Sequence, residues 1–183
     1  MKKLWGKFYS LLKKEAVHEN EPQRILFLLR NMLLLLEVYF LMFPVMIHLM
    51  RPQTRDWIGY MFAVLTAAAF YGTYRLRVHT SVLICVTMQL AWVVAFVLVY
   101  GWECGIQHLM FEMLVLVYFA TYNAIGYKIG YTIFLFIVRF GLFVYCRGHL
   151  PHYQLTETAT VILQVINMTL SFVLMGVFCT MFS

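Results

Sequence analysis

Glu37, Glu112 and Arg139 are ionisable residues inside otherwise apolar runs, and any chemistry this chain performs would start there. A charge at the centre of a membrane span costs about 2.5–3.5 kcal/mol on insertion scales, so such residues face other helices or water and mark ion, proton or ligand paths. Glu112 stands just over one turn into its run, and Arg139 about two turns from the end of the run that follows. A tight turn joins those runs, which makes them antiparallel neighbours and puts both charges at similar depth. A Glu112–Arg139 ion pair inside the bundle is therefore expected, as a plain clamp or as a coupling element. Glu37 lies deeper and has no opposite charge at its level. It is expected to be protonated or bonded to Gln89 or Asn167, the three forming an intramembrane polar network.

A second constellation surrounds the loop Gly101-Trp102-Glu103-Cys104-Gly105-Ile106-Gln107-His108, with His48, His149 and His152 at the ends of neighbouring runs. His108 and Glu112 are four apart and share one helix face. Gly101 and Gly105 permit a tight reversal, and Trp102 suits a headgroup region. His48, Trp102, Gln107, His108, Glu112 and Arg139 are thus the candidate ligand-binding residues, lining a pocket open to the outer side. Four histidines could in principle ligate zinc, copper or haem. Cys104 to His108 is the only close pair, however, so neither a metal nor a cofactor is expected. The cysteines Cys85, Cys104, Cys146 and Cys179 show no Cys-x-x-Cys spacing, and whether Cys104 and Cys146 pair stays open. No nucleophile stands beside an obvious base, so catalytic residues are not expected.

The elements that position these groups are read from hydropathy. Hydrophobic residues make up 63% of the 183 and charged residues 12%, against roughly 25% charged in a soluble domain. A span needs about 20 apolar residues. Six runs qualify, near 27–50, 57–74, 80–100, 107–125, 129–146 and 159–181, bounded by charge, Gly or Pro. Leu33-Leu34-Leu35-Leu36 and the run from Val93 to Val99 do not alternate as barrel strands would. Pro44 should kink the first run, and Ala67-Ala68-Ala69 with Gly72 should allow a close helix approach.

Orientation follows from the basic residues. Lys2, Lys3, Lys7, Lys13, Lys14, Arg24, Arg30, Arg75, Arg77 and Lys128 fall on one side, and Arg51, Arg55 and Arg147 on the other. Ten against three predicts both termini on the cytoplasmic side of the cell membrane, with the +6 net charge held largely at anionic lipid. Nucleic acid is a poor partner for so apolar a chain. In residues 1–23, Leu4, Trp5, Phe8, Leu11 and Leu12 recur at helical spacing among lysines, as in a helix lying on the membrane surface. The alternative is a leader that only fixes topology. Acidic and basic residues after Leu12 exclude a cleavable signal peptide.

The basic lead, the six compact spans and the Gly101, Trp102, Cys104, Gly105, Gln107 loop resemble the six-helix membrane module of bacterial diguanylate cyclases with GGDEF domains. They are similar also to the modules of class III adenylate cyclases. The resemblance implies a sensor that signals through its last helix to a dimeric cytoplasmic output domain. This chain carries no Gly-Gly-Asp-Glu-Phe motif and stops at Ser183, so the receptor part alone is expected, without cyclase activity of its own.

The resulting expectation is an all-α integral membrane protein: an interfacial segment (1–23) and a six-transmembrane-helix bundle (24–183), both termini inside. It would bind membrane lipids and a small or lipophilic ligand, and form a homodimer if the resemblance holds. The alternatives are a transporter subunit resembling a vitamin-importer binding component, in which Ala67–Ala69 and Gly72 would dock a partner, and a purely structural anchor. Sparse Gly/Pro interruptions within the spans speak against the transporter.

Overall fold

The computed structural model describes residues 10, 12, 23–50, 57–120, 125–182 and no others. Its elements are all helical: α1 Gln23–Met50, α2 Trp57–Gly72, α3 Val78–Tyr100, α4 Leu109–Ala120, α5 Ile125–Gly148 and α6 Glu157–Phe182. Two single-turn 3-10 helices, Trp102–Cys104 and Ile106–His108, lie between α3 and α4. The six helices fall on the six apolar runs. α1, α3, α5 and α6 are long and apolar enough to cross a membrane, and the outward surface carries Val38, Leu49, Val64, Phe136, Ile137 and Phe172 exposed. A bilayer is the solvent such a surface suits.

The fourth run departs from expectation. Instead of a helix over 107–125, it forms the two 3-10 turns followed by a helix of 12 residues, about 18 Å long at 1.5 Å per residue. That is well short of the ~30 Å hydrocarbon core. The other helices begin or end within a few residues of the expected boundaries. The expected surface helix over residues 1–23 falls almost wholly outside the described residues, although Leu12 is described and buried.

α1 is the central strut. Its buried face, Leu29, Met32, Leu36, Phe40, Phe43 and Ile47, recurs every three or four residues. It meets Trp92 of α3, whose ring is surrounded by Phe40, Phe43, Phe62 and Phe96 at centroid separations of 4.8, 5.4, 5.0 and 5.3 Å. Offset and edge contacts of this kind add about 0.5–1.5 kcal/mol per pair beyond area burial.

The close approach of α1 and α2 does not use Ala67 and Ala68, which are exposed; it uses Gly59. A methyl group built on Gly59 would overlap the Pro44 ring of α1 and come within 3.3 Å of the Phe40 carbonyl oxygen. Proline removes the N–H that would serve the carbonyl four residues earlier. That carbonyl belongs to Phe40, so Pro44 and Gly59 form one feature: a helix interior proline seated on a backbone with no side chain. α1 runs through Pro44 as a continuous helix.

At the opposite end of α1, Arg30 is 1% exposed despite its charge. Its Nε donates to Thr73 Oγ1 at 3.0 Å, its Nη1 to the Leu12 carbonyl at 2.8 Å, and its guanidinium lies 4.0 Å from the Tyr74 ring centroid. Arg30 is thus a clamp between the leading segment, α1 and the α2–α3 turn, as well as a member of the basic count. Burial raises the Tyr74 phenol above its ordinary value, and the adjacent Arg30 charge pulls it part of the way back.

Candidate functional site: a buried loop and the cavity beside it

The chain leaves α3 through Gly101 at φ +94° and turns again at Gly105 at φ +77°, conformations that side chains with a Cβ rarely adopt. A Cβ at Gly105 would also sit 3.2 Å from Gln164 Cγ of α6. The loop therefore lies against α6. Of its residues Gly101–His108 only Glu103 is exposed; Cys104, Gly105, Ile106 and Gln107 are buried.

Buried loop backbone in an apolar bundle needs partners for its carbonyls, each unsatisfied group costing several kcal/mol. The carbonyls of Trp102, Cys104, Gly105 and Gln107 have them. Gly105 N–H donates to the Trp102 carbonyl and His108 N–H to the Gly105 carbonyl. The Asn167 side-chain amide donates to the Cys104 carbonyl at 2.7 Å, and its oxygen accepts the Tyr39 hydroxyl at 2.7 Å. Arg139 Nη1 donates to the Gln107 carbonyl at 2.7 Å. Asn167 lies ten residues into α6 and Tyr39 eleven from the end of α1, about 15 Å in each case. The loop thus reaches roughly half-way into a bilayer-sized bundle.

Arg139 does not pair with Glu112. Among the described residues Glu112 forms no ion pair, and its Oε2 is buried without a hydrogen-bond partner. The guanidinium is held by the Gln107 carbonyl and stands 4.8 Å from the Phe111 and 5.7 Å from the Trp102 ring centroid. The expected clamp between α4 and α5 is replaced by a bond from α5 to the loop that precedes α4, because the Gln107 carbonyl lies nearer Arg139 than the carboxyl does.

Glu112 instead faces a cavity of about 300 Å³ between α4 and α6, lined by His108, Phe111, Glu112, Met168, Ser171, Phe172 and Met175. Glu112 is 2% exposed, whereas Phe111 and Phe172 at the rim are 53% and 74% exposed. The cavity opens sideways, between aromatic rings on the apolar flank of the bundle.

The six expected ligand-binding residues separate accordingly. His108 and Glu112 line this cavity. Trp102 lines a different crevice of about 290 Å³, bounded by Tyr145 of α5 and by His149, Pro151 and Leu155 of the α5–α6 connection. Gln107 and Arg139 form the hydrogen-bonded wall near both. His48 is exposed at the end of α1 and lines neither. Of the expected network, Asn167 is bonded as above, to Tyr39 and the loop. Gln89 is buried with both amide atoms unpartnered, and Glu37 Oε2 is buried and unpartnered as well. Ser171, Met168 and Met175 were not singled out in the sequence. Their spacing along α6, i, i+3 and i+7, is the signal that could have placed them on one face.

The four cysteines are free, and the Cys104 thiol donates to the Tyr100 carbonyl at 3.3 Å. Among the described residues no three His, Cys, Asp or Glu side chains converge as metal ligands would. Comparison of the chain with protein-family models, with curated proteins and with solved structures finds no match.

Proposed function

We propose that this protein is a membrane-embedded receptor-type binding module whose ligand enters the α4–α6 cavity from the bilayer. One observation carries the reading: a carboxyl group almost fully buried, with an oxygen lacking any partner, faces a cavity open to the apolar flank. A polar group left unpaired at such depth is costly, and ionisable residues in this position mark binding or transport paths. The ligand acts by its differential affinity for two arrangements of α4 and α6. Movement of α6 around Met168–Met175 carries to its end near Cys179. There a cytoplasmic, cyclase-type output domain, in a dimer, would receive the signal, with both termini on the cytoplasmic side.

Photolabelling tests this. The purified chain in lipid nanodiscs is irradiated with a diazirine-bearing long-chain alcohol, and adducts are mapped by mass spectrometry. Enrichment on Phe111, Met168, Phe172 and Met175, abolished by the cavity-filling Ser171→Trp, supports the reading. Adducts spread evenly over α5 and α6 in both proteins would sink it.

A second reading, a transporter subunit, is favoured by the broken fourth element. Transporters place substrate at discontinuous helices near the midplane, where loop backbone lines a cavity. Accumulation of a labelled substrate in vesicles, dependent on a partner protein, would move this reading ahead.

A further inference from the structure

The proposed cavity also carries information about what it would accept, and this inference rests on that reading. We propose that its ligand is a lipophilic amine: an ammonium head bearing N–H groups, on an alkyl or aryl body that remains among the rings at the cavity mouth.

The polar groups of the cavity are Glu112, His108 and Ser171. A carboxyl group accepts when ionised and can also donate when protonated, a neutral imidazole donates at one nitrogen and accepts at the other, and a hydroxyl can do either. Three side chains able to accept a hydrogen bond therefore line the cavity, and Arg139, beside Phe111 at its rim, is already engaged. Arg139 donates to the Gln107 carbonyl and lies against Phe111 and Trp102. Among the described residues no lysine or arginine lines the cavity, so an anionic head would find no cation there to pair with. An alcohol supplies one donor and an ammonium up to three. Only the ammonium also neutralises a carboxylate in an apolar wall, where charge-assisted hydrogen bonds are about twice as strong as neutral ones.

The remaining walls agree. Phe172 presents a ring at the mouth with its exposed side free of Arg139, and aromatic faces attract cations. Met168 and Met175 are flexible and polarisable, and adapt to a body of variable shape. A cavity of about 300 Å³ at the lower end of the small-molecule range admits a head and a few methylene groups, leaving a longer tail in lipid.

The test uses three probes of one chain length, dodecylamine, 1-dodecanol and dodecanoate, as competitors of the diazirine alcohol in nanodiscs at pH 7. Dodecylamine should displace the label from Phe172 and Met175 at a concentration at least tenfold below dodecanol, and dodecanoate should be weakest. Glu112→Gln should remove the amine's advantage over the alcohol. If all three compete equally in both proteins while Ser171→Trp still abolishes labelling, the cavity stands and the amine assignment falls. If Ser171→Trp changes nothing, both fall. Folding of Glu112→Gln is checked by helical circular dichroism and monodisperse elution, and the competition is repeated with Glu112→Met. An amine advantage that persists in Glu112→Met overturns the proposal.

Discussion

Asn167 donates its side-chain amide to the main-chain carbonyl of Cys104, 63 positions away, while accepting the hydroxyl of Tyr39, 128 positions away. One amide on α6 thereby joins α1 to the buried loop at the middle of the bundle. Its two bonds hold the Gly101–His108 segment against α6 and set the start of α4, on which Glu112 is carried. The position of the candidate cavity thus depends on a residue that does not line it.

Removing that amide should be costly. Asn167→Ala takes the side-chain donor from the buried Cys104 carbonyl and the Oδ1 acceptor from the Tyr39 hydroxyl, and should destabilise the protein by about 1–3 kcal/mol. Tyr39→Phe takes the donor from the buried Asn167 Oδ1 and should likewise cost about 1–3 kcal/mol. Reversible unfolding in mixed micelles measures both. Equal and negligible losses would show that the amide bridge contributes nothing.

The Pro44–Gly59 contact predicts a rescue. Gly59→Ala overpacks a tight helix crossing, at a cost of about 1–3 kcal/mol. Replacing the ring in Pro44→Ala/Gly59→Ala should recover most of it, since the added methyl group meets chiefly Cγ and Cδ of that ring. Unfolding of the two variants in parallel decides the matter, and a double variant no better than Gly59→Ala would point to the Phe40 carbonyl as the obstacle.

Arg139 and Glu112 should behave as independent sites. In a double-mutant cycle of Arg139→Leu and Glu112→Gln, the coupling energy should fall below about 0.5 kcal/mol, the additivity seen for residues without a shared interaction. Arg139→Leu alone should destabilise, because the Gln107 carbonyl loses its donor. A large favourable coupling would restore the ion pair that the sequence suggests.

Arg30 should not tolerate lysine. A single ammonium cannot reproduce the fork that reaches Thr73 and the Leu12 carbonyl together. Hydrogen bonds to charged groups are worth about 1.5–3 kcal/mol each, so Arg30→Lys should lower stability by at least about 1.5 kcal/mol. Thermal unfolding in detergent reads the loss, and Thr73→Val should reproduce part of it.

Cys104 offers a probe of the loop. It is fully buried with its thiol bonded to the Tyr100 carbonyl, so N-ethylmaleimide should modify it only after denaturation. Exposure through local opening follows the opening free energy. Weakening the loop by about 1.4 kcal/mol in Asn167→Ala should then raise the labelling rate about tenfold. Mass spectrometry of the Cys104 peptide gives the rate, and fast labelling of the native chain would contradict the buried loop.

The six helices were legible because each is a run of apolar residues closed by charge, Gly or Pro, and burying such a run satisfies its backbone whatever its neighbours are. Arg30 was legible only as a charge, since its burial depends on how the α2–α3 turn folds back. Glu112 and Arg139 stood out in the sequence as ionisable residues in apolar runs, but the partners they take did not. The loop was recognisable as a place of reversal from its two glycines, but its depth was not. Residues 101–108 read as a surface loop because polar and glycine-rich segments commonly are.

By itself, the sequence determined an all-helical apolar bundle, the number and approximate limits of its helices, and the few polar residues that had to be explained. These follow from local hydropathy and backbone chemistry, which act over one helix at a time. Tertiary structure decided which polar group meets which: Asn167 with Cys104, Arg139 with Gln107, Arg30 with Thr73, and Glu112 with a cavity. Hydrogen bonds act over about 3 Å, and several partners at similar depth are compatible with the same pattern of spans. Only the crossing of α1, α3 and α6, and the entry of a glycine-hinged loop between them, selects among those partners.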